Sequence, residues 1–121
     1  MMRMSRAEFE KAVARALDDL PEEIAALLDN VAVVVEDDPT DEDILEAGLD
    51  PGQDTLFGLY HGVALTERSA SWGMELPDRI VVYRLPLLDA CADRVELIRE
   101  IRDTVVHEVG HFFGLDEDDL P

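Results

Sequence analysis

The chain has 121 residues, enough for one hydrophobic core of ordinary size but not for two. Apolar residues make up 47% of it and charged residues 32%, which is typical of a globular protein and excludes a disordered or low-complexity chain. Its 29 acidic and 10 basic residues give a net charge of −19, which argues against nucleic acid or a membrane as partner and favours metal ions and basic peptides. We therefore expect a single domain over residues 1–121 with a solvated acidic surface.

The first predicted element is an amphipathic helix that begins after Ser5. In SRAEFEKAVARALDDL the apolar residues recur at helical spacing, Ser5 is a suitable N-cap, and Glu8 completes the sequence pattern of a capping box. Pro21 ends this helix and opens a short second helix that stops near Asn30. The β-branched run VAVVVED then predicts a buried strand.

A long acidic segment separates this strand from the next two. The prolines and glycines of EDDPTDEDILEAGLDPGQD predict a surface loop with a helical turn around Ile44. LFGLYHG is the second predicted strand, and Gly58 and Gly62 within it indicate a bulge or the close approach of another backbone, as at an edge strand. RIVVYRL predicts a third strand over residues 79–85, closed by Pro86.

The rest of the chain up to residue 113 has a helical pattern, with a short helix followed by a long one that begins near Asp93. One stripe of the long helix is apolar at spacings of three and four and predicts the face that packs on the core: Ile98, Ile101, Val105, Val109 and Phe112. His107 and His111 project from the other side of the helix. We therefore expect both histidines to face a cleft, the solvent or a second layer.

The motif HEVGH, which begins at His107, indicates a metal site. Two imidazoles four residues apart on a helix can each direct one nitrogen at the same tetrahedral zinc ion. Glu108 lies beside the pair, where it can accept a proton from a water molecule at the metal without being a ligand. Gly114 is placed to end the helix, and the turn can bring an acid of the following DEDD back as a third ligand. The alternative is that the histidines only pair with nearby acids.

The cysteine content and the N-terminal sequence bear on the cellular location. Cys91 is the single cysteine, which excludes an intrachain disulfide and the disulfide framework of a small secreted protein. No apolar segment follows the first arginines, and no apolar run reaches the length of a membrane span, about 18 residues. These features predict a cytoplasmic protein that does not enter a membrane.

The same residues resemble a known family. HEVGHFFGLDE is similar to the extended signature HExxHxxGxx(H/D) of metzincin-type zinc peptidases, and nearly the whole chain resembles a small bacterial zincin-like metallopeptidase family with a minimal fold. The resemblance implies an α+β fold, in which a small mixed β-sheet packs against helices and the long C-terminal helix carries the metal site. It also implies that the edge strand LFGLYHG borders the cleft.

The resemblance assigns a role to each residue of the motif. Glu108 is the implied catalytic residue, as general base. The implied zinc ligands are His107, His111 and Glu117. The family more often has aspartate at the third ligand position, and Asp116 and Asp118, which flank it, stay alternatives for that ligand. Metzincins also have a methionine turn below the metal, and no residue of this sequence matches it.

The implied function is zinc-dependent hydrolysis of peptide bonds in peptides or unfolded proteins. Because so small a chain supplies one wall of a cleft, a second copy or a partner protein would supply the other. Tyr60 and His61 are candidates for stabilising an oxyanion, although packing or exposure on the sheet is the favoured interpretation of each. The alternative function is a non-catalytic metal-binding or interaction module that docks a basic partner on its acidic face.

Overall fold

The structure is a computed structural model, which describes residues 2–29, 31–62 and 79–112. These residues form five helices, α1 (Arg6–Asp18), α2 (Glu22–Leu27), α3 (Asp41–Glu46), α4 (Arg84–Ala90) and α5 (Arg94–Phe112), and three strands, β1 (Ala32–Glu36), β2 (Gly58–His61) and β3 (Arg79–Tyr83). The predicted α+β fold class is confirmed. Among these helices, none combines the length and the apolarity that crossing a bilayer requires.

The sheet has the strand order β1-β3-β2, with β3 at its centre. β1 runs parallel to β3, and β2 runs antiparallel to it with Tyr60 opposite Ile80. The sheet is therefore mixed, as predicted, and LFGLYHG supplies an edge strand within the described part of the chain. The first strand was predicted to be buried, but the valines of β1 are only half-buried; among the described strands β1 is the other edge of the sheet, with β3 as its one neighbour.

The main core lies between one face of the sheet and helices α1 and α5. Its fully buried members include Phe9, Ala12 and Ala16 of α1, Ile80 and Val82 of β3, and Leu97, Ile101 and Val105 of α5. Because alternate residues of a strand face opposite sides, Val81 and Tyr83 instead join Leu59 in a smaller cluster on the other face of the sheet. Each fully buried large aliphatic side chain contributes about 1.5–3 kcal/mol, so this packing fixes α5 against the sheet.

The core face of α5 differs from the predicted stripe by one residue. Leu97 is fully buried and Ile98 is only partly buried, whereas Ile101, Val105 and Val109 are buried as predicted. A spacing of four from Leu97 to Ile101 and on to Val105 keeps the first turns of α5 over α1 and the sheet. The side chain of Phe112 lies outside the described residues.

Side-chain capping hydrogen bonds start three of the described helices, and at α5 the Asp93 carboxylate accepts from the Glu96 N–H at 2.8 Å. The Ser5 hydroxyl accepts a hydrogen bond from the Glu8 backbone N–H at 3.1 Å, which confirms the predicted N-cap of α1. The predicted capping box is not completed, because the Glu8 carboxylate accepts from the Ser5 hydroxyl instead of the backbone. A reciprocal box forms at α3 between Thr40 and Asp43, and buried Ile44 makes the predicted helical turn part of this helix.

The third strand ends two residues earlier than predicted, at Tyr83, and α4 follows at once. Pro86 therefore lies in the first turn of a helix, where a missing N–H breaks no intrahelical hydrogen bond. Arg84 anchors this junction by donating from Nε to the Asp37 carboxylate at 2.9 Å, and the Leu85 N–H donates to the Asp37 carbonyl at 2.9 Å.

Candidate metal centre

Three side chains near the C-terminal end of α5 form a compact cluster. His107, Glu108 and His111 each offer one ligand atom, and these atoms lie within 4.8 Å of one another. The two imidazole rings have their centroids 4.6 Å apart. His107 is half-buried and His111 is exposed, so both lie off the core face, as predicted. Two imidazole nitrogens one helical turn apart are donors that zinc binds in proteins, so His107 and His111 fit two of the ligand positions of a zinc ion, with the Glu108 carboxylate beside them.

Glu108 is the one charged residue that is buried in the described part of the chain, with 5% of its surface exposed. A buried carboxylate needs hydrogen-bond partners, and the backbone N–H of Tyr60 donates to its Oε1 at 2.8 Å. His111 Nδ1 lies 3.2 Å from the same oxygen, and His107 Nε2 lies 4.0 Å from Oε2. The carboxylate is thus held between the edge strand and both imidazoles.

Strand β2 lies this close to α5 because Gly58 has no side chain. A Cβ atom at Gly58 would lie 2.5 Å from Thr104 Cγ2 and 2.9 Å from the carbonyl oxygen of Val81, both too close for a real contact. Of the two meanings given to this glycine in the sequence, a bulge or a close approach, the structure has the close approach. This contact brings the Tyr60 N–H within reach of Glu108.

A cavity of about 790 Å³ opens between β2, α5 and the end of α3, a volume within the usual range of ligand sites. The three residues of the cluster line it, together with the apolar side chains of Leu49, Leu56 and Phe57. Tyr60 also lines the cavity, whereas His61 is not among its lining residues. The edge strand therefore borders the cleft, as the resemblance implies.

The predicted third ligand lies outside the described residues. This applies to Glu117 and to its alternatives Asp116 and Asp118, and equally to the helix stop predicted at Gly114. The assignment of Glu117 as a metal ligand therefore stays a prediction. Within the described residues, the carboxylate that joins the two histidines is that of Glu108.

Sequence reasoning missed two features of the site. The first is the backbone N–H of Tyr60, which holds Glu108 and carries no sequence signal because almost every residue has such a group. The second is the wall that the end of α3 adds to the cavity, since tertiary packing alone brings this segment to the cleft. Of the contacts between β2 and α5, the sequence signalled only the one at Gly58, where the glycine predicted a close approach but did not show which element approaches.

The chain matches the sequence model of a known family and is similar in fold to a solved structure. The sequence model of the zincin-like metallopeptidase family matches residues 28–121. Among solved structures, the chain is similar to a conserved hypothetical protein from Thermus thermophilus, with a TM-score of 0.58, 24% identity and coverage of 91% of this chain and 94% of that chain. At that identity the likeness concerns the fold alone. No curated protein matches the sequence.

Proposed function

The chain belongs to the family of zincin-like metallopeptidases, and on this premise we propose that it is a zinc-dependent peptidase that hydrolyses peptide bonds. In this proposal His107 and His111 hold the zinc ion together with Glu117, and Glu108 is the general base. The observation that carries the proposal is the meeting of both histidines with a buried, oriented carboxylate in the wall of a cleft.

When bound, a zinc ion supplies Lewis-acid chemistry, since it polarises a carbonyl group and makes water more acidic. Glu108 takes the proton of the attacking water and passes it to the amine that leaves. Because the Tyr60 N–H holds Oε1 at 2.8 Å, we assign this proton transfer to Oε2. The buried setting of Glu108 excludes most competing water from the carboxylate.

The proposed substrate is a peptide or an unfolded protein segment. An edge strand beside the cluster can pair with an extended main chain, and a folded protein rarely offers one. A second copy of the chain or a partner protein would supply the wall that this small domain leaves open. The buried free thiol of Cys91 is in keeping with a reducing, cytoplasmic location.

Calorimetric titration of zinc into chelator-stripped protein tests the metal site. We expect micromolar or tighter binding by the wild type and no measurable binding by His111→Ala, because the variant loses one of the two imidazole ligands. The matched control is His61→Ala, which removes a histidine that does not line the cavity and should leave the affinity unchanged. Full zinc affinity in His111→Ala would contradict the proposed site.

Glu108→Gln tests the proposed general base. Glutamine keeps the oxygen that accepts from Tyr60 but takes up no proton, so we expect peptide cleavage to fall at least about 100-fold while zinc still binds. Cleavage of a peptide library is measured by mass spectrometry, with Glu100→Gln on the same helix as control. A wild-type protein that binds zinc and cleaves no peptide would instead favour the alternative, a non-catalytic metal-binding or interaction module.

A further inference from the structure

The basic residues of this acidic chain are concentrated on two helices. Six of the ten basic residues belong to α1 and α5, and these two helices together contain seven acidic residues. The rest of the chain therefore carries nearly all of the net charge of −19. Surfaces built from α1 and α5 are close to neutral, whereas α3 contains four acidic residues and no basic one.

A groove of about 290 Å³ between α1 and α5 is lined by three of these basic residues, together with one acid and two apolar residues: Arg15, Arg99, Arg102, Asp19, Val95 and Ile98. Arg99 is exposed and forms no ion pair among the described residues. Arg15 lies 3.4 Å from the Asp19 carboxylate. Arg102 lies 3.6 Å from the Asp103 carboxylate. Both are surface ion pairs, which contribute little to stability, so the carboxylates of a partner can replace them.

The groove also has an apolar part. Val95 is 69% exposed, more than any other large apolar side chain of the described residues, and Ile98 is partly buried. Arg99 follows Val95 by four residues, so the two side chains lie on one face of α5. Arginines around an exposed apolar side chain fit an acidic segment that presents an apolar side chain between its carboxylates.

Helix α3 presents such a segment on its exposed side. Leu45 is 63% exposed, and after Val95 it is the most exposed large apolar side chain of the described residues. Asp41 and Glu42, which precede Leu45 by four and three residues, are exposed and lie on the same face. Ile44 is buried, so the other side of α3 packs against the protein. A single exposed apolar side chain is ordinary on a protein surface, but the two most exposed ones here lie among charges of opposite sign.

We infer that α3 of one copy of the chain docks in the groove between α1 and α5 of a second copy. Leu45 then covers Val95, and the carboxylates of Asp41 and Glu42 meet the guanidinium groups of the groove. The overall repulsion between two acidic copies is largely screened at physiological salt, where the Debye length is about 8 Å, so neighbouring charges decide the contact. Because the contact joins two different surfaces, each copy keeps one of them free for a further copy.

The copy that holds α3 lies next to the cleft. Glu46 and Ala47 follow Leu45 directly in the sequence and line the cavity of the metal centre, whereas none of the residues that line the groove does so. The groove and the cavity are therefore separate surfaces of each copy. This contact gives a place to the second wall of the proposed peptidase, but the self-association itself does not depend on peptidase activity.

Analytical ultracentrifugation of the metal-free full chain tests the self-association. One short helix in a groove makes a small interface, so we expect the average mass to rise above 13.5 kDa only between about 10 µM and about 1 mM protein. Arg99→Glu and Leu45→Glu should each weaken association at least about tenfold, because they set like charges against each other. The matched controls Arg94→Glu on α5 and Leu27→Glu on α2 are exposed, lie outside both surfaces and should associate like the wild type. A wild-type mass that stays at 13.5 kDa up to about 1 mM would overturn the inference.

A mixture of the two variants tests which surfaces meet. Arg99→Glu keeps an intact α3 and Leu45→Glu keeps an intact groove, so an equimolar mixture should form dimers of one chain of each, far more than either variant forms alone. Such dimers also require both variants to be folded. A mixture that stays monomeric, or controls that lose association to the same extent as the variants, would overturn the assignment of these surfaces. Because association is measured without zinc or peptide, its failure leaves the peptidase proposal standing, and self-association of a protein that cleaves no peptide would overturn that proposal alone.

Discussion

Asp43 shows how a single carboxylate ties one wall of the cleft to the sheet. Its Oδ2 accepts hydrogen bonds from the Thr40 N–H and from the Tyr83 hydroxyl, both at 3.1 Å. Burial raises the pKa of Asp43, but these hydrogen bonds outweigh it and hold the pKa below its usual value. Burial and the charge of Asp43 raise the pKa of Tyr83, so the phenol stays protonated and donates. The contact joins α3 to β3.

The lowered pKa of Asp43 gives a stability change with a defined sign. A carboxyl group whose pKa is lower in the folded state stabilises the fold fully above its unfolded pKa of about 3.9, and this contribution disappears as the pH falls through the folded pKa. We expect Asp43→Ala to lower the free energy of unfolding by about 1–2 kcal/mol at pH 7. The difference from the wild type should shrink below about pH 4.

Urea unfolding between pH 7 and pH 3 measures this difference. Asp41→Ala is the matched control, because it removes another carboxylate from the first turn of α3 and should cost less than about 0.5 kcal/mol. If the free energy of unfolding of Asp43→Ala stays below that of the wild type by the same amount down to pH 3, the charge of the carboxylate contributes nothing to stability.

At the scale of elements, the contact of β2 with α5 sets the geometry of the site. Where space allows, alanine in place of glycine in a strand raises the free energy of unfolding by about 0.5–1 kcal/mol. A decrease in Gly58→Ala would therefore report close packing around this residue. We expect a loss of about 1–3 kcal/mol, because the new Cβ would lie 2.9 Å from the Val81 carbonyl oxygen, a backbone atom that cannot rotate away. Denaturant unfolding measures the loss.

The control for Gly58→Ala is Gly52→Ala, whose Cβ would lie 3.4 Å from the Asp50 carboxylate, an ordinary contact. The backbone amide resonance of Tyr60, followed by NMR, adds a readout specific to the site. It should shift in Gly58→Ala, because the displaced strand loses its hydrogen bond to Glu108, and stay in place in Gly52→Ala. Equal stability of the two variants would refute close packing at Gly58.

Periodicity and composition predicted the elements of this fold better than their boundaries and neighbours. The helical spacing before Pro21 and the β-branched runs in β1 and β3 are local signals, and each gave the correct type of element. A proline can follow the end of a strand or lie in the first turn of a helix. Pro86 therefore did not show from the sequence alone whether residues 84 and 85 extend β3 or begin α4. Half-burial of β1 depends on its place in the sheet, which no local pattern encodes.

In the candidate site, too, local features could be predicted from the sequence and long-range contacts could not. His107, Glu108 and His111 lie on one continuous helix, so their relative positions follow from helical geometry and could be predicted. The hydrogen bond from Tyr60 to Glu108 joins residues 48 positions apart in the sequence, and the α3 wall depends on the burial of Ile44. Such long-range contacts depend on packing, which the spacing of residues along the chain does not report.

At the scale of the whole molecule, one charge imbalance acts on both stability and recognition. With 29 acidic and 10 basic residues, most carboxylates have no cation to pair with, and their mutual repulsion opposes the compact state. We expect the same field to draw a basic peptide toward the cleft. Ion pairs such as Arg15 with Asp19, at 3.4 Å on the exposed face of α1, offset little of the repulsion.

Added salt should therefore change stability and peptide affinity in opposite directions. Screening shortens the Debye length from about 30 Å at 0.01 M to about 8 Å at 0.15 M, so most of both effects should occur below 0.15 M sodium chloride. Over that range we expect the free energy of unfolding to rise by about 1 kcal/mol, because repulsion within the chain weakens. The affinity of the zinc-loaded Glu108→Gln protein for a lysine-containing peptide should fall several-fold, whereas an uncharged peptide should bind equally well at both salt concentrations. Urea unfolding and fluorescence anisotropy on the same protein measure the two responses, and an affinity for the lysine-containing peptide that does not depend on salt would exclude the negative field of the protein as the source of the attraction.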